Sequence, residues 1–206
     1  MPRKNETEQR IIESAALVFT GRGYSDAVFT EIVQKARANP AMINYYFRNK
    51  ETLYRRALSY SLARAASRYP ISIVQDKTPQ QRLKTFISAQ LHRTFSQGKA
   101  GYFHGMLASE FANPTSVADD WLFDVEKREK DVLESIIGDL LDGRGSPSRI
   151  HSLVILVRSL VSFMLFNRRA RKNFIRQDGY SPKAIKSLAD RFTRYALACI
   201  RMKDDE

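Results

Sequence analysis

Apolar residues recur at helical spacing along the whole of this 206-residue chain, and no segment shows the alternation of a half-buried strand. Ile11, Ile12, Ala15, Ala16, Val18 and Phe19 make one stripe. Leu83, Phe86, Ile87, Gln90 and Leu91 make a second, and Val125, Val132, Leu133, Ile136, Ile137, Leu140 and Leu141 a third. That periodicity confines the chain to an all-α fold. The breaks fall at Gly21-Arg22-Gly23, before Pro70, at Gly98 to Gly101, at Asn113-Pro114-Thr115 and at Gly143 to Pro147. They predict about nine helices. The first is capped by Asn5 or Thr7 and ended by Gly21-Arg22-Gly23; the others lie near 28–35, 40–46, 50–68, 79–97, 101–112, 118–142, 148–168 and 182–202. The short helices precede residue 50 and the long ones follow it. The expected division is a small three-helix domain over 1–50 and a larger helical domain over 51–206. The boundary falls in the helix that starts at Lys50, so the two parts would share a helix instead of a loose linker.

Thirty-four Lys and Arg stand against 22 Asp and Glu, a net charge of +12 that suits a polyanionic partner. The surplus sits at both ends. Residues 1–60 hold ten basic against six acidic side chains, and residues 143–206 hold fourteen against five. Cys199 is the single cysteine, which excludes an internal disulfide and a cysteine metal cluster. Met1 to Glu8 is charged and has no apolar core of a signal peptide. The apolar run Leu153–Phe166, broken by Arg158, is shorter than the roughly 20 residues a bilayer requires. A cytoplasmic protein is expected, with no membrane partner, no cofactor and no metal.

The chemistry concentrates in Val28 to Phe47. Two short helical segments flank a tight turn at Ala36-Arg37-Ala38; Asn39 is a good N-cap and Pro40 occupies the favoured first helical position. Phe29, Ile32, Ala36, Ile43 and Phe47 can build a small core with Ile12, Ala16 and Phe19, leaving Met42, Asn44, Tyr45 and Tyr46 outward. A short helix presented in this way can enter a DNA major groove, and its N-terminal N–H groups can take a phosphate.

Residues 10–54 resemble the DNA-binding domain of the TetR/AcrR regulators. The resemblance is carried by Arg10-Ile11-Ile12, Ala15-Ala16, Phe19, Gly23-Tyr24, Ile32, and the run from Ala36 to Phe47 followed by Lys50-Glu51 and Leu53-Tyr54. Leu107–Thr115 resembles a subgroup of the same family. Membership implies a homodimer bound to double-stranded DNA, a small-molecule effector domain, and repression relieved by ligand. Carried over by position, Asn39 is the cap and Ala41 and Met42 open the groove-facing helix. Tyr45, Tyr46 and Lys50 stand where phosphate is touched. Met42 and Asn44 are candidates for base edges, Asn pairing with adenine and Met meeting the thymine methyl. The chain departs from the family in three places. Ala27 and Val28 replace the usual Thr or Ser at the second helix, and Arg37 replaces the turn glycine. A positive φ at Arg37 would cost about 1 kcal/mol relative to Gly, offset by a phosphate contact if the guanidinium makes one. These departures motivate a second reading, a family member with weak DNA affinity that acts through a protein partner.

His92, Phe95, Tyr102, Phe103, His104, Met106, Phe111, Trp121, Phe163 and Phe166 crowd the central helices. They suit either an apolar effector pocket or an ordinary helical core. His104 and Glu110 are six residues apart and point to different sides of a helix, which is no metal spacing. HExxH, GxGxxG, P-loop and nucleophile-elbow motifs are absent, so a helical enzyme or small-molecule carrier has no motif behind it. The run Arg168-Arg169-Ala170-Arg171-Lys172 suits a helix C-terminus better than a nucleic-acid patch. The last two helices are the expected dimer surface. One carries Ile150, Leu153, Val154, Val157, Leu160, Val161 and Met164, the other Ile185, Leu188, Ala189, Phe192, Ala196 and Cys199.

Overall fold

The computed structural model describes residues 4–71, 77–166 and 181–202. Among them the chain forms nine α-helices and one short 3-10 turn, with no strand. In chain order these are α1 (Lys4–Asp26), α2 (Phe29–Ala36), α3 (Pro40–Phe47), α4 (Lys50–Arg68), α5 (Pro79–Phe95), the 3-10 turn Gly98–Ala100, α6 (Tyr102–Ala112), α7 (Asp119–Leu140), α8 (Pro147–Phe166) and α9 (Pro182–Arg201). Helix α1 starts at Lys4, ahead of both expected caps, and Thr7 is buried within it. It breaks at Gly23, within the expected stop Gly21-Arg22-Gly23, where a φ of 75° is accessible to glycine at little cost. A Cβ at Gly23 would also collide with the Ser109 hydroxyl.

The helices assort into two compact units. The first holds the described residues up to Arg68 together with Ser96–Leu122. Its core is Ile11, Ala15, Phe19, Ile32, Ile43, Phe47, Leu53, Tyr54 and Leu58, with Met106 and Ala118 joining from beyond the helix-turn-helix. Helix α6 packs closely on α1. Gly105 lies so near Thr20 that any Cβ there would clash, and the Thr20 hydroxyl, which donates to the Ala16 carbonyl at 2.7 Å, lies 3.2 Å from the Tyr102 carbonyl. A sequence-distant helix is thereby built into the unit that carries α2 and α3.

The second unit holds Tyr69–Phe95 and the chain from Phe123 onward. Leu83, Ile87, Leu133, Ile137, Val154, Val157, Ala189 and Ala196 form its core. Arg93 is almost wholly buried there. Its Nη1 lies 3.2 Å from Glu129, its Nε donates to the Tyr69 carbonyl at 2.9 Å, and Gln90 donates to the other Glu129 oxygen at 2.6 Å. Burial lowers the Arg93 guanidinium pKa and raises that of the Glu129 carboxyl, and the attraction between them opposes both shifts.

Helix α8 is apolar on two sides. Leu153, Val154, Val157 and Val161 turn into the unit's own core, whereas Ile155 and Phe163 are about half exposed, at 53% and 52%. On α9, Ile185, Ala189 and Ala196 face the core, and Leu188, Phe192 and Cys199 are half-buried. Much of both faces expected at the dimer surface therefore packs within the chain. The side chain of Phe166 and the run Arg168–Lys172 lie outside the described residues.

Candidate nucleic-acid interface

Helix α2 opens at Val28, which is extended (φ −117°, ψ 144°), and no side chain caps it. The helix ends at Arg37 in the left-handed region (φ 48°, ψ 47°), where the Arg37 N–H donates to Gln34 O and the Ala38 N–H to Val33 O, both at 3.2 Å. This is the position the family fills with glycine, so Arg37 bears a strain of about 1 kcal/mol. The exposed Asn39 then caps α3, its Oδ1 accepting from the Ala41 N–H at 2.9 Å with Pro40 at the first helical position.

On α3, Ile43 and Phe47 are buried and fix the helix to the core. Pro40, Ala41, Asn44 and Tyr45 are exposed. Met42 and Tyr46 are half-buried and rest against the core, so they are less outward than the sequence reading had them. The Tyr45 and Tyr46 rings meet edge to face at 5.1 Å. Lys50 opens α4. Its ammonium donates to the Ser25 carbonyl at 3.0 Å and lies 4.9 Å from the Tyr24 ring centroid. Burial lowers the Lys50 pKa, and the nearby Asp26 charge opposes that shift.

Two features here escaped the sequence reading. Arg48 is exposed at the end of α3 with a φ of 60°, beside the face formed by Asn44 and Tyr45. Its signal was present, a basic residue directly after an aromatic run. Asn49 caps α4, accepting from the Thr52 N–H at 2.8 Å.

The effector candidates fall in both units. In the first, Phe103 and His104 are buried and the Phe103 ring lies 6.0 Å from that of Trp121. The indole of Trp121 donates to the Ser59 hydroxyl at 3.1 Å, and Phe111 is partly exposed. In the second, Phe95 is buried, Phe163 is exposed, and His92 stacks on Tyr69 at 5.0 Å, its pKa lowered by burial. Among the described residues no three His, Cys, Asp or Glu side chains are placed to hold a metal ion. No helix among them is long and apolar enough to cross a membrane.

A helix with a capped, exposed N-terminal half, seated on a three-helix core and flanked by basic side chains, defines a helix-turn-helix DNA-binding protein. Residues 11–57 match the profile of the TetR family of bacterial regulatory proteins, and residues 79–200 match that of the C-terminal domain of the HTH-type transcriptional dual regulator CecR. The chain belongs to the TetR/AcrR family of DNA-binding transcriptional regulators, with a CecR-type C-terminal domain.

A probable HTH-type transcriptional regulator of Bacillus subtilis, YttP, is 39% identical over 56 residues, a match that spans 27% of each chain. Two solved structures share the fold along most of their length. FadR from Bacillus subtilis in complex with stearoyl-CoA superposes with a TM-score of 0.71 at 14% identity, covering 92% of this chain and 97% of that one. AibR in complex with isovaleryl coenzyme A and operator DNA gives 0.70 at 20% identity with the same coverage.

Proposed function

We propose that this regulator represses transcription from a roughly palindromic operator, binding as a homodimer and leaving when a mostly apolar small molecule occupies its C-terminal part. In this reading residues 1–50 are the DNA-binding module and 51–206 the effector and dimerisation part, and the protein works in the cytoplasm without catalysis. The observation that carries it is α3: Asn39 fixes its start, Ile43 and Phe47 seat it, and Asn44 and Tyr45 stand clear of the protein. Asn44 and Met42 choose bases, while Tyr45, Tyr46, Lys50 and Arg37 hold the backbone. A dimer fits the apolar residues left outside the core on the last two helices, Ile155, Phe163 and Tyr195. Two separate aromatic groups are the candidates for an apolar effector, Phe103, His104, Phe111 and Trp121 in the first unit and His92 and Phe95 in the second. The thioesters bound by FadR and AibR supply the first probes to try.

Duplexes selected from a random pool test this reading. Two inverted half-sites and a steep salt dependence are expected, and Lys50→Ala should lower the salt slope by about one per half-site. Stearoyl-CoA or isovaleryl-CoA should release the duplex if either is close to the true effector. A dimer that ignores every duplex would favour the protein-partner reading, which the uncapped Val28 and the strained Arg37 motivate.

A further inference from the structure

The Lys50 ammonium rests on groups that a free lysine would have to find. Lysine carries a flexible stem, and a phosphate contact made from that stem freezes it at binding. Here the stem is already placed. Ser25 O accepts one of the three ammonium donors at 3.0 Å, and the Tyr24 ring faces the charge at 4.9 Å. An aromatic face attracts the cation without occupying a donor, so capacity remains for a phosphate oxygen.

The ring is itself held. Tyr24 lies 5.0 Å from Tyr54, which is fully buried and meets Phe19 edge to face at 4.7 Å. The Tyr54 hydroxyl donates to the Glu110 carboxylate, and Glu110 also accepts from the Thr115 N–H at 3.0 Å and the Thr115 hydroxyl at 2.9 Å. Glu110 belongs to α6, inside the segment matched by the C-terminal domain profile, yet it lies with Tyr54 in the first unit.

We propose that Tyr24 is a positioning residue for DNA binding, holding Lys50 in a preformed seat that Tyr54 and Glu110 keep in place. The proposal rests on the phosphate contact assigned to Lys50 above.

The test is a double-mutant cycle of Tyr24→Leu and Lys50→Ala, with Tyr24→Phe as the conservative control. Affinity for one duplex chosen from the random pool is followed across a salt series. Tyr24→Leu should weaken binding about five- to twentyfold for a duplex of two half-sites, whereas Tyr24→Phe stays within about twofold of the parent. In the Lys50→Ala background Tyr24→Leu should have no further effect. Equal loss in both backgrounds, or equal loss with Phe and Leu, overturns the positioning role and leaves the phosphate contact standing. Lys50→Ala with unchanged affinity and salt slope removes the phosphate contact itself. If Tyr24→Leu does not fold, the cycle is run with Tyr54→Phe, which keeps both rings. A loss of about twofold that vanishes with Lys50→Ala supports the proposal, and a loss that persists there overturns it.

Discussion

Among the described residues the first unit holds a buried carboxylate, Glu110, and the second a half-buried one, Glu129, and the two are held in opposite ways. Among the described residues Glu110 meets neutral donors alone, the Tyr54 hydroxyl and the N–H and hydroxyl of Thr115. Glu129 in the second meets the buried Arg93 guanidinium and the Gln90 amide. Burial disfavours ionisation of Tyr54 and Glu129 alike. The difference lies in what a deletion leaves behind: polar groups that want a hydrogen bond in one case, an uncompensated cation in the other. The first unit is therefore the more tolerant of losing its carboxylate.

The largest expected effect follows from that contrast. Glu129→Ala strands Arg93 and should cost about 3–5 kcal/mol in denaturant unfolding. A loss below about 1 kcal/mol would mean that water or another group already serves the guanidinium. Glu110→Ala should cost less, about 2 kcal/mol, because its orphaned partners are uncharged. Equal losses at the two sites would erase the distinction.

Tyr54→Phe should cost about 1 kcal/mol near neutral pH and should change the alkaline limb of stability. Folding pushes the Tyr54 hydroxyl well above its ordinary range. Above about pH 10 the unfolded chain gives up that proton while the folded chain keeps it, so stability falls as pH rises. Unfolding curves from pH 9 to 11 should be flatter for the Phe variant; parallel slopes would show that Tyr54 is not protected in the fold. Tyr60, raised to about 12 by burial and by its bond to Glu13, adds to the decline in both proteins. An effect of similar size and opposite sign is expected at the turn. Arg37→Gly should stabilise the fold by about 1 kcal/mol by relieving the left-handed arginine. Weaker DNA binding at low salt in the same variant would show that Arg37 also holds phosphate.

What could be read from the sequence was what is local. The Asn39-Pro40 start, the positive φ at Arg37 and the uncapped Val28 depend on residues one to three apart, where side-chain chemistry dictates the backbone. The pairing of Tyr54 with Glu110 spans 56 residues and leaves no periodic trace. The same holds for Tyr24 under Lys50, which depends on where Gly23 breaks α1. Helix α8 misdirected the reading for a different reason. It is apolar on both sides, and hydrophobicity alone does not distinguish Val154, in the chain's own core, from Ile155 beside it on the surface. Met42 was read as fully outward because a helix of eight residues has too few turns to separate a flank from a face.

The central claim is that α3 reads bases through Asn44. It is tested most directly by selecting duplexes from one random pool with the parent protein and with Asn44→Ala in parallel. The account expects the parent to select inverted half-sites. It expects Asn44→Ala to select the same sequence except for one relaxed position in each half-site, with a loss of about 1–3 kcal/mol on the best parent sequence if the amide pairs with adenine. Identical preferences for the two proteins, at every position and with equal affinity, would contradict it and place the reading surface elsewhere.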